Sequence, residues 1–237
     1  MKPIFAIFGT ILTATAGIFA SPQASDVDTE KDTVIIDVLD PGTAETDTIG
    51  FPTKVTDFFL FSNSEDFDKI DHSVKLDMLD YYYAGKKEKM PTRLGGTAYI
   101  DSLTARYMKI ITSESAFYEV AMFGKGDNTT FAVIKTIQLP AEDSQIDFYS
   151  TKDGATAISL PGIEDFLSKE GKKQMAELRR RIPFPLMKIS VADESSLEVR
   201  ISVCDYLSAE DSAFVAPLLG RNRIVYEWKK NKFREKK

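Results

Sequence analysis

Two nearly identical acidic hexamers, Leu139-Pro140-Ala141-Glu142-Asp143-Ser144 and Leu207-Ser208-Ala209-Glu210-Asp211-Ser212, place four carboxylates in the chain at matching local positions. Paired carboxylates can hydrolyse a glycosidic bond when they face each other across a cleft at roughly 5 to 10 Å. Local structure offers a simpler account. Ser208-x-x-Asp211 is a helix start, in which Ser208 accepts from an orphan backbone N–H and the acids meet the positive end of the helix dipole. Pro140 and Asp143-Ser144 suit a turn ahead of a strand at Ile146.

Nucleophilic chemistry has few residues to draw on. His72 is the sole histidine and Cys204 the sole cysteine. No Gly-x-Ser-x-Gly elbow accompanies them, and a zinc site would have to be completed by carboxylates. His72 falls off the apolar stripe of its helix and reads as a surface residue. The Gly124-Lys125-Gly126-Asp127-Asn128 segment lacks both the phosphate-loop pattern and a following helix, so it reads as a hairpin loop. Asp66, Asp68 and Asp71 cluster without the calcium-loop spacing, and no dinucleotide fingerprint is present. The expectation is a chain with no catalytic, cofactor-binding or metal-ligating set and no cofactor.

These residues are carried by alternating helical and strand patterns. Phe67, Ile70, Val74, Met78 and Tyr81 recur at spacings of three and four, which predicts one helix over residues 66–83, closed by Ala84-Gly85. Tyr81, Tyr82 and Tyr83 cannot all face one side of it. The runs RYMKIIT, AFYEVAMF, TFAVIKTIQL and QIDFYS, separated by turn residues, predict antiparallel strands. A second helical stretch runs from Ile163 to Arg181 with an interruption near Gly171, and Pro183 and Pro185 close it. Arg179, Arg180 and Arg181 then read as a solvated helix end. LMKISVADESSLEVRISVCDYL predicts a hairpin whose second strand buries Leu197, Val199, Ile201 and Val203. The same parity puts Cys204 on the polar side. A short helix over 209–219 and a last strand RIVYEWKKNKF follow, with the basic tail 229–237 as a solvated terminus.

Met108-Lys109-Ile110 recurs as Met187-Lys188-Ile189, and Glu119-Val120 as Glu198-Val199, both 79 positions on. The reading is an α+β protein of tandem helix-plus-antiparallel-sheet units, with an internal duplication as one interpretation. The units span 58–160 and 161–237, and the folded part starts near Phe58. Ahead of them, 21–57 is an acidic, Thr/Asp-rich linker in which Val34–Leu39 could add a strand.

Residues 1–20 have one basic residue, Lys2, an apolar run and small closing residues, the layout of a secretory signal peptide. Cleavage is expected after Ala20, with Ala14-Thr15-Ala16 as an alternative; a transmembrane anchor competes, on a run at the lower limit of spanning length. The chain is therefore expected to be periplasmic or secreted, with no transmembrane anchor in the mature form. The net charge of −6 repels phosphate backbones, so no nucleic-acid partner is expected. One cysteine cannot form an intramolecular disulfide.

The residues Leu76-Asp77-Met78-Leu79-Asp80, Arg93-Leu94-Gly95-Gly96, Ser113-x-Ser115, Ala141-Glu142-Asp143-Ser144, Phe148-Tyr149 and Val225-Tyr226-x-Trp228 resemble an uncharacterised family of exported Bacteroidales proteins over roughly residues 60–237. The resemblance implies an envelope or secreted location and brings no assigned activity. The resulting expectation is a non-enzymatic interaction or ligand-binding module of the bacterial cell envelope. Its partner would be an unidentified envelope protein or small ligand, with Tyr82 and Trp228 as interaction anchors. The alternative is a carboxylate-dependent hydrolase acting on envelope glycans.

Overall fold

The structure, a computed structural model, describes residues 51–62, 65–150 and 160–236. The expected signal peptide, most of the expected linker and the possible strand at Val34–Leu39 lie outside the described residues. The described fold takes in residues ahead of Phe58: helix α1 covers Val55–Phe61 and buries Val55 completely. α2 covers His72–Tyr83.

Six strands form an antiparallel meander, β1 (Met90–Pro91), β2 (Thr97–Leu103), β3 (Tyr107–Ser113), β4 (Ala116–Phe123), β5 (Thr130–Ile137) and β6 (Asp143–Ser150), hydrogen-bonded in that order. Three short helices follow, α3 (Ile163–Phe166), α4 (Lys169–Lys173) and α5 (Met175–Arg181). A second, four-stranded antiparallel sheet contains β7 (Met187–Asp193), β8 (Ser196–Ile201), β9 (Arg223–Lys229) and β10 (Lys232–Glu235) in the order β10-β9-β8-β7. α6 (Ala209–Val215) lies between β8 and β9 in the chain. The protein is α+β, as the patterns predict.

The first sheet is covered on both faces, which its central strands already encode. In β4 and β5 every residue except Ile137 is buried or half-buried, so these strands read as nearly continuous apolar runs instead of alternating ones. Val120, Phe131 and Val133 pack with Val55, Phe58, Phe59, Phe67 and Met78 of the helical layer. Ala121, Phe123, Ala132 and Ile134 point the other way, into a core shared with β7–β9 and the helices of the second half. Phe58 stacks on Phe131 at 4.5 Å, and each such ring contributes about 1.5 to 3 kcal/mol by burial.

Several elements differ from their expected form. The helix expected over 66–83 is a 3-10 turn at Glu65–Phe67 followed by α2. The chain bends between them because Arg93 N–H bonds the Lys69 carbonyl (2.8 Å), and its guanidinium bonds Asp71 (2.5 Å). The stretch 163–181 is three helices, and Gly171 does not interrupt them. It lies inside α4, where a Cβ would come within 2.4 Å of the Leu218 carbonyl oxygen, so its role is close backbone approach. Arg181 is not simply solvated: it bonds Asp211 (2.7 Å) and Glu177 (3.1 Å) and covers the Phe214 ring, tying α5 to α6. β8 ends at Ile201, so strand parity does not reach Cys204, which sits half-buried in a 3-10 turn against the core. The final strand is a hairpin. Lys230 and Asn231, both at positive φ (52° and 60°), make a two-residue turn matched to strand twist. Part of the basic tail is thereby edge strand β10, and its Phe233 packs on Trp228 and Phe123.

The hairpins β3–β4 and β7–β8 share a register and an irregularity before the turn, but their equivalence runs at 80 positions. Ser113↔Ala116 corresponds to Asp193↔Ser196, and Met108↔Val120 to Lys188↔Arg200. The Met-Lys-Ile and Glu-Val matches at 79 are out of step by one residue, which in a strand exchanges faces. The turn residues Glu114-Ser115 and Glu194-Ser195 do match at 80.

Candidate functional site

The first hexamer supplies the junction between the two sheets. β7 is the edge strand of the second sheet, and such an edge exposes backbone groups that need partners. At alternate residues those groups are bound by side chains from the first sheet. Met187 N–H donates to the Asp143 carboxylate (3.2 Å), the Ser144 hydroxyl donates to the Ile189 carbonyl (3.4 Å), and Val191 N–H donates to the Glu119 carboxylate. Glu142 accepts from Lys188 (2.6 Å) and Arg200 (2.8 Å), while its carbonyl accepts from the Ser202 hydroxyl (2.5 Å). The second hexamer does separate work: Ser208 accepts from Asp211 N–H as the cap of α6, and Asp211 bonds Arg181. The two acidic hexamers thus serve different ion networks and are structural punctuation.

Above this junction lies a cleft of about 360 Å³, between the β3–β4 end of the first sheet and the β7–β8 turn of the second. Ala121, Phe123 and Val191 give it an apolar floor. Thr104, Arg106 and Tyr107 line it from the first sheet, and Asp193 and Glu194 from the β7–β8 turn. Its size falls in the roughly 300 to 1,000 Å³ range of small-molecule sites. Arg106 is fixed by donating from one guanidinium nitrogen to the carbonyls of Met122 (2.8 Å) and Gly124 (2.9 Å). A second cleft, about 470 Å³, shares Arg106 and Met122 and is bordered by Phe51 and Lys125.

Behind Tyr107 sits Glu119, only 6% exposed. The Tyr107 hydroxyl donates to it at 2.8 Å. Burial pushes the Glu119 carboxyl above the usual glutamate range, against the lowering effect of that hydrogen bond and of Lys109 and Lys188. Burial, with Glu119 beside it, also pushes the Tyr107 phenol well up. Asp193 goes the other way: hydrogen bonds from Ser196 and from Ser195 hold it below the usual aspartate range. Two carboxyls beside one cleft are therefore poised oppositely.

For Glu119 the folded state holds its proton more tightly than the unfolded chain, so its contribution to stability declines as pH rises from about 4. Glu119→Gln keeps an acceptor oxygen for Tyr107 and Val191 and removes the charge. Its stability relative to wild type, from urea denaturation, is expected to improve as pH rises above about 4 and to level off once Glu119 ionises in the folded protein. Parallel pH profiles for the two proteins would rule this out.

The residues singled out from sequence lie elsewhere. Tyr82 is half-buried, donating to the Leu103 carbonyl (3.4 Å) and accepting Leu103 N–H (3.0 Å). Trp228 is half-buried between Phe123 and Phe233. His72 is exposed beside the Phe61 ring. Among the described residues no group of three or more His, Cys, Asp or Glu is placed to hold a metal ion, and no helix is long and apolar enough to cross a membrane. Sequence reading missed Arg106, Tyr107 and Glu119; the available signal was a glutamate inside the otherwise apolar run AFYEVAMF.

A family model described as "Protein of unknown function (DUF3256)" matches residues 55–233. Among solved structures, a domain of an uncharacterized protein from Porphyromonas gingivalis W83 is similar at 22% identity and a TM-score of 0.63, over 78% of this chain and 100% of that one. That likeness establishes the fold. A comparison with curated proteins finds no match.

Proposed function

We propose, for a chain that belongs to the DUF3256 family, a non-enzymatic binding function in the bacterial cell envelope, with the cleft beside Tyr107 as the ligand site. The observation that carries this reading is the cleft itself: an apolar floor framed by a fixed arginine and two acids, between two sheets locked together by part-buried polar bonds. Rigid, mostly apolar concavities with a few placed polar groups are what small-ligand sites require. Export is supported by the signal-like layout of residues 1–20 and by the resemblance to exported Bacteroidales proteins, and the ligand would be met in the periplasm or outside the cell. Tyr82 and Trp228 are anchors in this reading only for a larger partner that covers their edges.

A second reading has its own observation. Oppositely shifted carboxyls beside one cleft, Glu119 up and Asp193 down, are the pattern of an acid and a base in glycan hydrolysis. Against it, Tyr107 lines the cleft in front of Glu119, whose carboxylate is already engaged by Tyr107 and Val191.

One experiment separates the two. The purified chain is incubated with envelope glycan, and reducing ends are measured alongside amide shifts of the isotope-labelled protein. The binding reading expects shifts at Ala121, Phe123 or Val191 on exposure to envelope extract, without turnover. Reducing ends released by wild type and lost in both Glu119→Gln and Asp193→Asn would establish the hydrolase instead.

A further inference from the structure

The charge arrangement of the cleft narrows its ligand, on the premise that the cleft is a ligand site. We infer that it binds a short zwitterionic peptide of about two residues, the terminal carboxylate on Arg106, the terminal ammonium on Glu194 and Asp193, and an apolar side chain on the half-buried Val191. Arg106 spends one guanidinium nitrogen on the Met122 and Gly124 carbonyls. It has no carboxylate within ion-pair distance among the described residues. Arginine carries five N–H donors, so with Nη2 spent on the two carbonyls, Nη1 and Nε keep three N–H donors, and Nη1 can bond a single oxygen of a carboxylate in a charge-assisted hydrogen bond. In the lining of the same cavity, Asp193 is held in place by the Ser195 N–H (2.8 Å) and hydroxyl (2.9 Å). Glu194 projects from the turn, exposed. Arginine and acids face one cavity without bonding each other.

Other charge types fit less well. A dianion meets two acids, a simple cation meets the guanidinium, and a neutral apolar molecule leaves Arg106 and Glu194 without an opposite charge. A dipeptide carries one charge at each end, about 7 Å apart when its two residues are extended, and its side chain can meet the apolar lining of a 360 Å³ cavity.

The test titrates the isotope-labelled full chain with alanyl-phenylalanine, with its N-acetylated form and with its C-terminal amide, following amides of Ala121, Phe123, Val191 and Glu194. Expected is saturable binding of the free dipeptide, weakened roughly tenfold or more by blocking either terminus, the scale of a hydrogen-bonded charge. Glu194→Gln should weaken the free dipeptide and leave the N-acetylated form unchanged, a contrast that general misfolding would not produce. Blocked forms binding as well as the free dipeptide would overturn the inference and leave the cleft a ligand site. The inference also fails, alone, if the dipeptide gives no shifts while apolar fragments from a screening set move these amides. If none of these ligands moves them, the cleft is not a ligand site and both readings fall.

Discussion

Replacing Asp66 with alanine is expected to lower the unfolding free energy by about 3 kcal/mol, the scale for breaking a buried, hydrogen-bonded ion pair. Asp66 sits in the 3-10 turn ahead of α2, its side chain 3% exposed. From there it reaches the first sheet: the Tyr149 hydroxyl of β6 donates to it at 2.7 Å, and the Lys135 ammonium of β5 pairs with it. Burial alone pulls Lys135 down. The hydrogen bonds it donates to Asp66 and Asp147, with the charges of those carboxylates, together more than reverse that, holding it above the usual lysine range. A raised lysine contributes stability that is fully present below its unfolded value and is lost only as pH climbs above about 10. The loss on removing Asp66 should therefore be undiminished at neutral pH. Without the carboxylate, Lys135 keeps Asp147 at 3.1 Å, which places the effect near the lower end of the about 3 to 5 kcal/mol range. Urea denaturation measures it. Asp66→Asn should fall between wild type and alanine, and adding Lys135→Met to Asp66→Ala should recover part of the loss. A deficit under about 1 kcal/mol would mean that this clamp contributes no more than a surface pair.

How far these features could be read from sequence depends on whether the cause is local. The strands of AFYEVAMF and TFAVIKTIQL, and the Ser208 cap, follow from short-range pattern, and the structure has them as β4, β5 and the start of α6. The alternation in Thr97–Leu103, with Ala98 and Ile100 buried between exposed or half-buried neighbours, is equally local but is masked by the glycines at 95 and 96. Other features are fixed by partners far along the chain. Apolar spacing continues unbroken through Phe67 and Ile70, yet the helix begins only at His72, because Arg93 claims the Lys69 carbonyl and Asp71. Gly171 looks like a helix breaker until the Leu218 carbonyl is found against it. The 79-residue matches are visible in the sequence, but strand register decides equivalence and places it one residue away. The cleft is illegible for the same reason: it joins residues near 106, 121 and 193, which only the packing of two sheets brings together.

Gly124→Ala is the other substitution expected to be severe, at about 3 kcal/mol or more when left-handed backbone and overpacking costs are combined. Gly124 follows β4 with φ +77°, and a Cβ there would lie 2.0 Å from the Asn128 carbonyl oxygen and 3.0 Å from its carbon. Both are backbone atoms, so no rotamer change relieves the overlap. The loop has little room to yield, since Thr129 bonds the Gly126 carbonyl through both its N–H (3.0 Å) and its hydroxyl (2.8 Å). Gly126 is the internal control. Its φ is +55°, and a Cβ added there would meet nothing within 4 Å, so Gly126→Ala should cost only about 1 to 2 kcal/mol for the backbone conformation. The difference between the two alanines, measured by thermal or urea unfolding, isolates the steric cost. Gly124 also carries the carbonyl that holds Arg106. Shifting the loop displaces the guanidinium, so any surviving folded Gly124→Ala should bind the free dipeptide more weakly while Gly126→Ala binds normally. Equal stability losses at the two glycines would show that the loop relaxes around the methyl, and unchanged dipeptide affinity would show that Arg106 is held without it.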